Sequence, residues 1–232
     1  MFINGFDILW DEIDDYVADI QSIRSIDQFM FTKPVTFFCG ENGSGKSTLL
    51  EALAIKNGLN PEGGTRNYNF STYDSYSNLH KHMRLWRSRK PDWMYFLRAE
   101  SFYNVATKEM EYSGVFSERY HDQSHGQSFF SVLMKQTNKN GLYLLDEPEA
   151  ALSCQNQLAL LYLIQSCVKQ NCQFIIATHS PILLGFPNAQ ILSFDEDKVE
   201  EVDYKSTSSY QTMKLFLDRY DYFVEDIKEN EI

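Results

Sequence analysis

The stretch Gly40-Glu41-Asn42-Gly43-Ser44-Gly45-Lys46-Ser47 constrains this chain more than any other. A Gly-x4-Gly-Lys-Ser pattern needs backbone angles open mainly to glycine, so that successive N–H groups converge on one anion. It works only between a strand and a helix, because the positive helix N-terminus completes the cradle. Both neighbours are present in the sequence. Pro34–Cys39 reads as a short apolar strand running into glycine. Lys46–Lys56 reads as a helix with Leu49, Leu50, Leu53 and Ala54 on one side and Asn57-Gly58 as its stop. A chance glycine turn of this pattern arises in on the order of one chain per hundred of this length, and the strand–helix context reduces that further. The loop therefore predicts a nucleotide site with ATP and Mg²⁺ as cofactors. Asn42, Gly43, Ser44, Gly45, Lys46, Ser47 and Thr48 would surround the phosphates, Lys46 would reach the β- and γ-phosphates, and the Ser47 hydroxyl is placed for the metal.

A second feature depends on the first. Leu142–Leu145 is an apolar strand pattern that ends in Asp146-Glu147. Alone, such a pair is a solvated turn. Beside a phosphate loop, Asp146 is expected to hold Mg²⁺ through its water shell, and Glu147 to position or deprotonate an attacking water. Pro148 fixes the chain direction after it.

The wider pattern alternates short β-rich runs with helical stretches, which predicts an α/β domain with a mainly parallel sheet. Phe2–Leu9, Trp93–Leu97 and Phe174–Thr178 complete the strand set, and Ile191–Phe194 with Val199–Val202 reads as a hairpin. Gln127–Lys135, Gln155–Lys169, Pro181–Leu184 and Ser208–Tyr220 read as helices. Residues 59–92 read as a loop-rich insertion with a short basic helix around Leu79–Arg87, and residues 221–232 as a fraying tail. One domain over residues 1–232 is the economical organisation.

Composition bounds the remaining classes. No apolar run approaches the roughly 18–20 residues of a spanning helix, and acids follow the first residues at once, so no membrane insertion and a cytoplasmic location are expected. Cys39, Cys154, Cys167 and Cys172 lack paired metal spacing and read as free thiols. A net charge of −11 argues against a general polyanion binder. The charge is uneven, however: Lys81, Arg84, Arg87, Arg89, Lys90 and Arg98 face the single acid Asp92 between His80 and Arg98. That segment is either a solvated helix or a contact for a partner protein or nucleic acid.

Asp146-Glu147-Pro148-Glu149-Ala150-Ala151-Leu152-Ser153 and Ala177-Thr178-His179-Ser180-Pro181 resemble the Walker B, D-loop and H-loop segments of ABC-type ATPases. Ser124-His125-Gly126-Gln127-Ser128 resembles their signature, usually Ser-Gly-Gly-Gln, and the motif order is the same. The chain is similar to the small stand-alone predicted ATPases often labelled AAA-family. The resemblance implies a P-loop NTPase with an ABC-type head, its parallel sheet flanked by helices and antiparallel β elements. It implies two protomers clasping ATP. Ser124, His125, Gly126 and Gln127 would act in trans on the γ-phosphate, His179 would contact that phosphate, and Glu147, His179 and Lys46 would be catalytic. Three departures stand out: His125 replaces a glycine, Ser153 replaces the D-loop aspartate, and Arg98-Ala99-Glu100-Ser101 stands where a Q-loop glutamine belongs. Glu100 can approach Mg²⁺ and Arg98 can meet phosphate, or the two form a surface salt bridge. Tyr16, Phe29 and Phe31 precede the loop but are assigned to core packing rather than to adenine.

These readings favour an ATP-hydrolysing homodimer that switches a partner protein or a nucleic-acid process. The alternative is a transporter's nucleotide-binding subunit whose spanning domain is a separate chain. A binding module without turnover and a small-molecule kinase remain, the first opposed by Glu147 and the second by Ser124–Gln127 and His179.

Overall fold

The computed structural model describes residues 1–65, 76–99, 133–135, 137 and 140–229. Its strands are β1 (Ile3–Ile8), β2 (Gln28–Met30), β3 (Val35–Cys39), β4 (Met83–Arg87), β5 (Trp93–Arg98), β6 (Gly141–Asp146), β7 (Gln173–Ala177), β8 (Gln190–Ser193) and β9 (Glu200–Glu201). Its framework is completed by the α-helices α1 (Gln21–Arg24), α2 (Lys46–Lys56), α3 (Leu79–His82), α4 (Cys154–Lys169), α5 (Pro181–Leu184), α6 (Ser208–Asp218) and α7 (Tyr220–Glu229), and residues 133–135 are also helical.

Apolar runs on β3, β6 and β7 are buried throughout, as strands covered on both faces must be. They sit in a six-stranded sheet of order β5-β6-β7-β3-β8-β9, parallel except for the β8–β9 hairpin. Alternation then sorts side chains into two cores. Phe38, Phe96, Leu144, Ile175 and Leu192 face α2 and a small antiparallel sheet, where they meet Leu49, Leu50, Leu53, Phe6 and Phe31. Phe37, Tyr95, Leu145, Phe174 and Ile176 face α4 and α5, meeting Leu160, Ile164, Leu183 and Leu184. Helix α2 is thus sandwiched between sheet layers, which fixes the phosphate loop at its start.

The small sheet has order β2-β1-β4. Two buried glutamines bind it to the large one. Gln173 accepts the N–H groups of Phe2 and Ile3 at 2.7 and 3.0 Å and donates to the Ile3 carbonyl at 2.8 Å. Gln190 accepts from Thr32 N–H at 3.0 Å and donates to Met30 O at 3.2 Å. A buried amide satisfied on both ends adds direction to the apolar contact.

Three expectations change. The basic helix around Leu79–Arg87 stops at His82, and Met83–Arg87 is β4, paired antiparallel with β1. Met83 and Leu85, two residues apart, pack on the core with exposed Arg84 between them, as on a strand covered on one face. Tyr16 is 53% exposed rather than packed in the core, whereas Phe31 is buried and Phe29 packs at its edge. After α6 the chain forms a further helix, Tyr220–Glu229, with no buried residue.

Candidate functional site

The loop after β3 reaches α2 through Gly40, Gly43 and Gly45, at φ of 139°, 80° and 96°. A Cβ on Gly45 would sit 2.7 Å from Ile23 Cδ1, so the backbone lies flush on α1. A Cβ on Gly43 would meet nothing within 4 Å; that turn faces open space. Ser22 Oγ donates to Ser44 O at 2.5 Å and holds the loop from the same side.

Lys46 is 3% exposed. Its ammonium donates to Gly40 O at 2.8 Å, Glu41 O at 2.7 Å and Ser44 Oγ at 3.3 Å, filling the loop it serves. Burial pushes its pKa down, opposed by the charges of Glu147, Asp195 and Asp146. Ser47 Oγ donates to Asp146 Oδ1 at 2.8 Å, so the acid at the end of β6 and the hydroxyl at the start of α2 are brought together. Thr48 is half-buried on the same first turn, and Asn42 and Gly43 are exposed.

Glu147 leaves β6 in the left-handed region at φ 48°, ψ 51°. Its N–H donates to Ala177 O at 2.9 Å, which anchors the turn to the end of β7. From there Oε1 lies 3.5 Å from His179 Nε2, with the two side chains 40% and 35% exposed. His179 Nε2 is itself buried and makes no hydrogen bond. The backbone N–H of His179 donates to Glu149 Oε1 at 2.5 Å, so the short helical turn Pro148–Ala151 sets the histidine's height. Ser180 caps α5 and donates to Gln157 Oε1 at 2.6 Å, tying this corner to α4.

Arg98, at the end of β5, joins the site by pairing opposite Asp146 in the sheet register. Its Nε lies 3.6 Å from Asp146 Oδ2 and its Nη1 donates to Glu51 Oε2 at 2.6 Å. Glu51 stands one turn after Ser47 on α2, so Ser47, Asp146, Arg98 and Glu51 close a ring. Ser153, at the D-loop aspartate position, caps α4 by accepting from Asn156 N–H at 3.3 Å. Ser124, His125, Gly126, Gln127 and Glu100 lie outside the described residues.

Asp195 is not legible as a site residue in the sequence, where it falls between the two strands of the hairpin Ile191–Phe194 and Val199–Val202. It accepts Glu41 N–H at 2.8 Å and packs against Gly40, joining the end of β8 to the phosphate loop. Only its position after an apolar strand hinted at this. Glu51 was also missed, since nothing local marks a helical glutamate as a partner of Arg98.

All of these groups gather at the carboxyl ends of parallel strands, where open α/β sheets bind ligands. An AAA domain model matches residues 18–84, and an AAA ATPase domain model matches residues 125–184. The cytochrome c biogenesis ATP-binding export protein CcmA of Rhizobium etli is 30% identical over 171 residues, covering 66% of this chain and 78% of that protein. An uncharacterized ABC transporter ATP-binding protein of Haemophilus influenzae is 27% identical over 183 residues, 68% of each chain. Among solved structures, a nucleotide-free ATP-binding cassette from an ABC transporter is 15% identical, with a TM-score of 0.49 over 93% of this chain and 95% of that one. The chain belongs to the ABC-type ATPases. It binds ATP and hydrolyses it.

Proposed function

We propose that residues 1–232 form one cytoplasmic ATPase domain that hydrolyses Mg-ATP in a homodimer, each composite site completed by Ser124–Gln127 of the second protomer. The observation that carries this reading is the Glu147–His179 pair. A half-exposed carboxylate and an imidazole nitrogen without a hydrogen bond stand 3.5 Å apart beside the phosphate loop. A buried polar atom left unpaired costs free energy unless a ligand satisfies it.

Each residue then has a task. Lys46 and the loop N–H groups hold the β- and γ-phosphates. Glu147 orients water for attack and accepts its proton, and His179 contacts the γ-phosphate. Ser47 and Asp146 supply hard oxygens that fit Mg²⁺, Asp146 through water. When bound, that ion neutralises charge on the β- and γ-phosphates. Nucleotide-driven closure and release then switch a partner.

The test is Glu147→Gln, sized with and without ATP. Dimer formation only with ATP supports the composite site; a monomer in both conditions overturns it. The similarity to an ABC transporter ATP-binding protein and to an ATP-binding export protein favours a second reading, a nucleotide-binding subunit paired with a separate membrane-spanning chain. No described helix is long and apolar enough to cross a membrane. Stable co-purification with a multi-spanning protein would select this reading.

A further inference from the structure

The far end of α2 borders a groove of about 590 Å³, lined by Lys56, Asn57, Arg87, Arg89, Lys90 and Pro91 among others, with no acidic residue in its wall. A volume of this size lies in the range of ligand-binding clefts. The chain as a whole carries a charge of −11, so four cations around one concavity without an acid run against its composition. None of the four forms an ion pair with a described carboxylate. The single acid of this segment, Asp92, is not part of the groove's wall, and its carboxylate accepts from Asn140 at 3.3 Å.

The two arginines are held in place without being neutralised. Arg87 Nη2 donates to Lys56 O at 3.1 Å and to Asn57 Oδ1 at 3.2 Å. Arg89 Nη2 donates to Asn171 O at 3.2 Å, and its guanidinium lies 4.4 Å from the centroid of the Phe2 ring. Carbonyl and aromatic partners fix the orientation and leave the charge and the remaining N–H donors available. That is the arrangement that recognises phosphate bidentately with little further loss of side-chain freedom.

We propose that this groove binds the phosphodiester backbone of a nucleic acid. Lys56, Arg87, Arg89 and Lys90 make the phosphate contacts. Two features favour nucleic acid over other polyanions. The cations line a concavity, which a flat anionic bilayer does not enter, and arginines preset for planar bidentate acceptors suit phosphate oxygens. Groove and phosphate loop lie at opposite ends of one 11-residue helix, about 16 Å apart. The proposal names the partner site of the ATP-switched reading and rests on that reading only for what the binding controls.

The experiment titrates a fluorescent single-stranded oligonucleotide against the full chain by anisotropy, at 50 and 200 mM salt. Dissociation constants of roughly 10⁻⁴–10⁻⁶ M are expected, weakening on the order of fifty-fold between the two salts if four phosphates are contacted. Lys56→Glu with Lys90→Glu removes two cations whose side chains make no hydrogen bond or ion pair to a described residue, so folding survives, as a thermal melt will verify. This variant should bind at least tenfold more weakly, with the salt slope reduced by about 1.4, while basal ATP turnover is unchanged. No binding by the wild-type chain, unchanged binding by the double variant, or equal affinity for anionic lipid vesicles or polyglutamate each overturns the proposal. Absence of an ATP-dependent Glu147→Gln dimer would sink the composite-site reading and leave the binding measurement intact.

Discussion

Replacing Arg98 with methionine breaks the ring around Asp146 at its most committed member. The side chain is 24% exposed, and it faces Glu51 at 13% and Asp146 at 9% exposure. Its 2.6 Å contact to Glu51 is a charge-assisted hydrogen bond, the kind whose net value is about 1.5–3 kcal/mol. The substitution also strands Glu51 without its facing cation, and breaking a buried pair in this way costs about 3–5 kcal/mol when solvent is fully excluded. Partial exposure of Arg98 lets water soften that penalty, so a loss of about 2–3 kcal/mol is expected. With a urea slope of about 3 kcal/mol per molar, the unfolding midpoint should fall by roughly 0.7–1 M.

The pH dependence adds a signature that a packing defect lacks. Burial already holds the Glu51 carboxyl above its ordinary range, with Asp146 adding to this and Arg98 opposing it. A carboxyl raised on folding contributes stability that is intact below its unfolded value and is lost as pH rises through the folded one. Removing Arg98 raises the folded value further, so the gap between wild type and Arg98→Met should widen from pH 5 to pH 8. Adding Glu51→Met should recover about 1–2 kcal/mol, because the stranded charge is gone. Urea unfolding at both pH values measures all of this. A single variant within about 0.5 kcal/mol of wild type at pH 8, a gap independent of pH, or no recovery in the double variant refutes the reasoning.

Gly45→Ala should destabilise the nucleotide-free protein by about 2–3 kcal/mol, since it adds a 2.7 Å clash with Ile23 to the strain of positive φ. Gly43→Ala carries the strain alone, about 1 kcal/mol, and a reversed order in thermal melts would contradict the loop geometry. Burial pushes the Cys39 thiol up to about 12, so at pH 8 its thiolate fraction falls roughly a thousandfold below that of an ordinary thiol. Iodoacetamide should label exposed Cys154 and spare Cys39 in the folded chain, and mass spectrometry of the labelled peptides decides it. The same raised value means that Cys39 supports the fold below its unfolded value and loses that support as pH climbs toward 12. The stability difference between wild type and Cys39→Ala should therefore shrink above pH 9.

What the sequence revealed was what adjacent residues decide together. The phosphate loop, β3 and α2 are legible because glycine spacing, an apolar strand and a helix stop follow one another without interruption. The apolar run Leu142–Leu145 with its two acids placed β6 in the same way. Long-range partners were not legible. Strand β4 follows α3 directly, and its identity rests on pairing with β1 some eighty residues earlier, as in Phe6 opposite Leu85. Glu51 and Arg98 meet across 47 positions, and Asp195 meets Glu41 across 154. Gln173 and Gln190 look like ordinary polar strand residues until the small sheet is laid against them. The charged composition of residues 221–232 concealed α7, whose apolar face Tyr220, Phe223 and Ile227 follows helical spacing.

The conformation of Glu147 shows how the fold prepares this corner. A non-glycine residue in the left-handed region costs on the order of 1–2 kcal/mol, yet the two groups that hold it there are part of the sheet and the turn. Its N–H is taken by Ala177 O at 2.9 Å, and its carbonyl accepts Ala150 N–H at 3.0 Å. An extended residue at this position would continue β6 and turn the carboxylate away from the end of β7. The left-handed turn instead carries it across to His179, one strand over. The strain is met once, by the cooperative folding of β6 and β7, rather than at each turnover. In the role proposed for Glu147, a backbone fixed in this way leaves only side-chain freedom to be lost when water and phosphate arrive, so that the turn, and not the acid alone, suits the residue to that proposed task.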